Sequence, residues 1–134
     1  MTALVDTNVL VRHLTGDPPA AAASATRLLG SAKDLLMPDL ILAEVVYVLE
    51  SFYEAPRAQV AECARSILGF EPIRVDDPAL LMRAVEVYET DRIDFAEAYL
   101  VATAEATGID TVVSFDKSID RIESVERVDP GKVK

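Results

Sequence analysis

The sequence predicts an α/β fold built on a parallel sheet with helices on both faces. Short apolar runs of strand length alternate with helical patterns along all 134 residues. No repeat, linker or low-complexity segment breaks the alternation. Acids stand where two of the strand-like runs end, Asp6 after "ALV" and Asp116 after "TVVSF". In such sheets ligands bind outside the carboxyl ends of the strands, where strand order reverses. At this length the chain is expected to form one domain, residues 1–134, with a sizeable core.

The elements follow in order. After the first strand, Thr7 to Leu14 reads as a short helix closed by Gly16. Asp17 is expected to cap a second helix with Pro18 at its first position, running through "AAAASATRLL" to Gly30. "DLLMP" reads as a strand ended by Pro38, and Asp39 as the cap of "LILAEVVYVLESFY". Pro56 opens the next helix, which ends near Gly69. "IRV" is a strand, and Asp77-Pro78 starts the helix "LLMRAVEVYE". Asp94 starts "FAEAYLVATAEA", which stops at Gly108. "TVVSF" is a clear strand and "VERV" a weaker one.

Composition removes several classes of chemistry. With one Cys and one His, zinc sites and Ser-His or Cys-His catalysis have almost nothing to use. Cys63 reads as a small core residue of a helix, and His13 as a surface or packing residue. A single cysteine excludes an internal disulfide and suits a reducing, cytoplasmic interior. No apolar run reaches membrane-spanning length, and the N-terminus lacks a signal-peptide pattern. The net charge of −10 argues against a broad basic face gripping nucleic acid. The same charge suits either plain solubility or a basic protein partner.

Two further acids stand among apolar neighbours. Glu44 has Leu40, Ile41, Tyr47 and Val48 at helical spacing, so it reads as a carboxylate on an apolar face. Such a group needs a metal or a cationic partner; the plain alternative is a Glu at the core's edge paired with an Arg. Glu97 has Ile93, Leu100 and Val101 around it, with Asp94 three residues earlier. Asp94 and Glu97 also fit the cap and N3 positions of a capping box. Asp116 fits a turn or the cap of a short helix equally well. If these acids converge, two carboxylates about 5 Å apart repel by roughly 3 kcal/mol at an effective dielectric of about 20. Such a cluster protonates in part or recruits a cation. An all-oxygen donor set favours Mg²⁺ or Mn²⁺, the ions of metal-dependent phosphodiester cleavage.

"LVDTNVLVRHL", "LILAEVVYVL", "IDFAEAYLVATAEATG" and "TVVSFDKSIDRI" resemble the successive motifs of PIN domains, above all VapC-type toxins. The resemblance covers almost the whole chain in the right order. It implies a three-layer α/β/α domain around a central parallel sheet. It also implies Mg²⁺- or Mn²⁺-dependent endoribonuclease activity, a homodimer, and neutralisation by a small antitoxin. By that resemblance Asp6, Glu44, Glu97 and Asp116 are the catalytic acids, and Asp6, Glu97, Asp116 and Asp94 the metal-site acids. Glu97 departs from the family pattern, which usually has Asp there. Its extra methylene moves the oxygens by about 1.5 Å, a C–C bond length. Thr7 and Ser114 are candidates for hydroxyl contacts, and Asn8, Arg12 and Lys117 for substrate contacts. Val9, Leu10, Leu14 and the alanine-rich stretch after Pro19 suggest apolar surface for a two-fold dimer.

Two other classes compete. A catalytically weak PIN-like module that binds RNA or protein would also suit Glu97 and the acidic balance. A phosphorylation receiver needs adjacent acids after the first strand, and an aspartyl phosphatase needs Asp two residues after Asp6. Thr7 and Asn8 meet neither requirement.

Overall fold

The computed structural model describes residues 2–132 and divides between Pro78 and Ala79 into two compact units. The first contains β1 (Thr2–Leu4), α1 (Thr7–Thr15), α2 (Pro19–Ser31), β2 (Asp34–Leu36), α3 (Asp39–Ser51), α4 (Arg57–Leu68) and β3 (Ile73–Arg74). Its sheet is parallel, in the order β1-β2-β3, with Leu4 opposite Leu36 and Leu35 opposite Ile73. The ladder continues one bond beyond β1, since Val5 N–H donates to the Leu36 carbonyl at 3.1 Å. Asp6 is therefore the first residue past the ladder. It stays extended (φ −95°, ψ 158°) and its Oδ1 accepts from Thr7 N–H at 2.7 Å, which starts α1. Gly16 ends the helix in the left-handed region (φ 71°), with its N–H on the Arg12 carbonyl.

Buried parallel strands need apolar cover. Leu35 and Met37 supply it on β2 and just beyond, Leu42, Val45 and Val46 on α3, and Val60 and Ala61 on α4. All are essentially inaccessible to solvent. Leu10 is also part of this core, and Val9 and Leu14 are half-buried. Packing within the unit thus consumes much of the apolar surface expected to serve a dimer.

The second unit contains α5 (Pro78–Thr90) from Ala79 onward, α6 (Phe95–Thr107), β4 (Thr111–Val113), a 3-10 helix (Lys117–Arg121), β5 (Glu126–Val128) and a 3-10 turn (Pro130–Lys132). β4 and β5 pair in parallel, Thr111 with Glu126 and Val113 with Val128. Ala104, Val112 and Ile119 form a buried cluster, with Val125 packed against it. Arg83 on α5 grips Glu105 on α6 through two bonds, Nε to Oε1 at 2.8 Å and Nη2 to Oε2 at 3.0 Å.

The α/β class and parallel pairing agree with expectation, while several boundaries differ. Asp17 does not cap α2. Pro18 holds the cap position, and the Asp17 carboxylate instead accepts from the Tyr53 hydroxyl at 3.1 Å. Pro38, not Asp39, precedes α3; Asp39 lies inside the first turn, where its charge faces the positive end of the helix dipole. Both prolines lock φ at about −65° and so set an extended entry into a helix without any side-chain acceptor. The strands are two or three residues long, and "TVVSF" makes one ladder bond past Val113, from Ser114 N–H to the Val128 carbonyl at 3.1 Å. Among the described residues no helix is long and apolar enough to cross a membrane.

Candidate active site

In the first unit, Asp6, Thr7, Asn8, Arg12 and Glu44 line one cavity of about 460 Å³. The end of β1 delivers Asp6 to it, the first turns of α1 deliver Thr7, Asn8 and Arg12, and the middle of α3 delivers Glu44. Asp6, Asn8, Arg12 and Glu44 are exposed, whereas Thr7 is buried with its Oγ1 lacking any hydrogen-bond partner. One sequence expectation is overturned here. Glu44 is not embedded in an apolar face; its neighbours Leu40 and Tyr47 are themselves 73% and 66% exposed. That side of α3 carries apolar residues into solvent, so the hydrophobic pattern around Glu44 reported surface rather than core.

In the second unit, Glu97 lies at the third position of α6 and is half-buried, with Oε2 inaccessible and without a hydrogen-bond partner. Burial raises its pKa above the ordinary glutamate value, and the Asp94 and Asp116 charges push the same way. A bond from its own backbone N–H opposes them. Asp94 occupies the cap position of α6, but its side chain makes no capping bond, so the expected capping box is not formed. Asp94 is thus uncommitted to the helix end, while Glu97 leaves only Oε2 uncommitted. Asp116 starts the 3-10 helix, with Oδ1 accepting from Ser118 N–H at 2.9 Å, while its own N–H donates to Ser114 Oγ at 2.9 Å. Hydrogen bonds from Ser118 hold its pKa below the usual aspartate value, aided by the Arg121 and Arg127 charges. Lys117 is exposed at the first position of that helix.

Sequence reasoning missed Arg127. Its guanidinium binds both carboxylate oxygens of Asp120, at 2.9 and 3.2 Å, and donates to the Ser114 carbonyl at 2.9 Å. Its side chain is only 11% exposed, so it ties the turn carrying Asp116 to β5. The available signal was Arg127 following Glu126 in "VERV", where an alternating strand turns the two charged side chains to opposite faces. His13 is exposed, with its Nδ1 2.8 Å from the Thr26 hydroxyl. Cys63 is half-buried rather than fully so, and burial pushes its thiol up, away from nucleophilic use.

Among the described residues, no three His, Cys, Asp or Glu side chains surround a common point ready for a metal. The donor chemistry nevertheless fits a hard divalent cation. Glu97 Oε2 is a buried, partnerless carboxylate oxygen repelled by two neighbouring acids, and a cation answers both deficits. The raised pKa has a measurable consequence. Ionising Glu97 costs folding stability, so its contribution is full below the ordinary glutamate range and is lost as pH rises through the raised folded value. In EDTA, Glu97→Gln is expected to gain melting temperature over wild type as pH rises above the ordinary glutamate range. Added Mn²⁺ should narrow that gap. A difference independent of pH would contradict the assignment of burial and repulsion to this side chain.

Parallel α/β units with acids at strand and helix ends suit many activities, so the fold alone does not choose among them. The PIN domain family model matches residues 3–125, spanning both units, and the chain belongs to that family. The chain is also similar to a VapC ribonuclease of Aquifex aeolicus (strain VF5), 26% identical over 122 residues. That similarity covers 89% of this chain and 90% of that protein.

Proposed function

We propose that this chain is a Mg²⁺- or Mn²⁺-dependent endoribonuclease and the toxin of a toxin–antitoxin pair. The observation that carries the reading is the buried, partnerless Glu97 Oε2 beside Asp94 and Asp116, in a chain of the PIN family. The similarity to a VapC ribonuclease along most of both chains supports RNA as the substrate. Asp6, Glu97, Asp116 and Asp94 are the residues to hold the ion, and Glu44 completes the acids required for cleavage. When bound, the ion activates water and offsets charge developing on a phosphoryl oxygen. Glu44, exposed on its cavity, is available to accept a proton from water. The free Thr7 Oγ1 and the Ser114 hydroxyl orient water or ligand, and Arg127 fixes the turn that carries Asp116. Asn8, Arg12 and Lys117, all exposed, meet the RNA locally, which an acidic protein needs in place of a broad basic face.

The match of one family model across both units supports reading residues 1–134 as a single PIN domain. The protein works in the cytoplasm as a homodimer neutralised by a small antitoxin. Exposed Leu40 and Tyr47 on α3 and Leu28 on α2 supply apolar surface for assembly. Light scattering at micromolar concentration is expected to give twice the chain mass; a monomer there contradicts the dimer. The alternative is a catalytically weak PIN-like binding module, favoured by Glu97 in place of the usual Asp. Purified protein incubated with a mixed panel of structured and single-stranded RNAs separates the two. Internal cuts that need Mn²⁺ or Mg²⁺ and stop in EDTA are expected. RNA that is bound but left intact with either ion would favour the binding module.

A further inference from the structure

The aromatic pair at the end of α3 is unused by the chemistry above. Phe52 and Tyr53 meet edge to face, with ring centroids 5.0 Å apart and planes at 71°. Phe52 is 75% exposed, so its ring is open to a ligand at the cavity's edge. Their backbone is fixed: the N–H groups of Phe52 and Tyr53 both donate to the Val48 carbonyl, and that of Ala55 to Leu49. The Tyr53 hydroxyl is anchored on Asp17 Oδ2. The pair forms one wall of the cavity that holds Asp6 and Glu44. Asn8, exposed on α1, lines the same cavity.

We propose that this cavity binds one unpaired nucleobase of single-stranded RNA, stacked on Phe52. The inference rests on the endoribonuclease reading and adds a recognition subsite to it. A base has a planar π-face for the exposed ring, and stacking tolerates every base. Its edge bears both donors and acceptors, which suit the exposed Asn8 amide on the cavity wall. Asp6, Asp17 and Glu44 line the cavity beside the cation Arg12, and a carboxylate there that does not hold the ion can accept an N–H of the base edge. Duplex RNA keeps its bases stacked and cannot offer one, so the subsite selects single strands.

The test is binding of a fluorescein-labelled eight-nucleotide RNA of mixed sequence in Ca²⁺, with its intactness checked on a gel. Variants are Phe52→Leu, which keeps apolar bulk but loses the ring, and Phe52→Trp, which keeps a stack. Because Phe52 is so exposed, both should fold, as circular dichroism will verify. Phe52→Leu is expected to weaken binding roughly ten-fold, and Phe52→Trp to leave it near wild type. Abasic sites moved along the RNA should reveal one position whose removal weakens wild type but not Phe52→Leu. Equal binding by wild type and Phe52→Leu, with wild type still cleaving RNA, overturns the subsite and leaves the ribonuclease reading standing. Dependence on Phe52 for an arginine-rich peptide but not for RNA overturns it in favour of a protein ligand. If wild type neither binds nor cleaves any RNA, the functional reading fails and the subsite with it.

Discussion

Replacing Asp6 by Asn is expected to abolish divalent-dependent RNA cleavage while leaving the protein folded. Asn caps a helix as well as Asp, and its carbonyl can still accept from Thr7 N–H, so α1 keeps its start. Only the charge is lost. Asp116→Asn makes the same separation in the second unit, because an amide oxygen can replace the carboxylate that now accepts from Ser118 N–H. Loss of an outer partner of a metal site typically costs about 10- to 100-fold, and loss of a direct ligand should exceed that. Cleavage rates more than about 100-fold below wild type, with unchanged circular dichroism, are therefore expected for both variants. Full activity in either purified variant would remove that acid from the machinery.

The second large effect separates Glu97 from Asp94. Three residues apart at the start of α6, they lie on neighbouring positions of the helix surface. Glu97→Gln removes the charge of the partnerless carboxylate and is expected to weaken Mn²⁺ binding and cut the rate sharply. Asp94→Ser is expected to be milder. The Asp94 side chain makes no capping bond, and Ser suits the cap position, so this change removes charge without unravelling the helix. Glu97→Asp should retain or improve activity by restoring the residue usual in the family. An inactive Asp94→Ser beside an active Glu97→Gln would transfer the metal role to Asp94.

Much of the fold was legible because local chemistry marks element ends. Gly16 and Gly108 end helices in the left-handed region, and Pro56 and Pro78 stand at helix starts, as sequence patterning predicts. Capping by Asp17 and Asp39 was misread because Pro18 and Pro38 supply the extended cap conformation themselves. The positions of Asp6 and Asp116 at strand exits were also legible, since an acid ending an apolar run breaks the strand pattern visibly. The setting of Glu44 was not. Periodicity identifies which residues share a helix face with Leu40 and Tyr47, but not whether that face is covered. The Tyr53–Asp17 bond joins residues 36 apart, and the Arg127 clamp depends on tertiary contact with Asp120 and Ser114. Neither leaves a local signature.

The central claim is that the acids of this chain hold a divalent ion required for RNA cleavage. One Mn²⁺ titration, following free Mn²⁺ by electron paramagnetic resonance and RNA cleavage in the same samples, tests it most directly. Cleavage is expected to rise in step with bound Mn²⁺, with both curves shifted to higher metal in Glu97→Gln and both lost in Asp6→Asn. Cleavage that persists in EDTA, or Mn²⁺ binding and cleavage both unchanged in these two variants, would contradict the account.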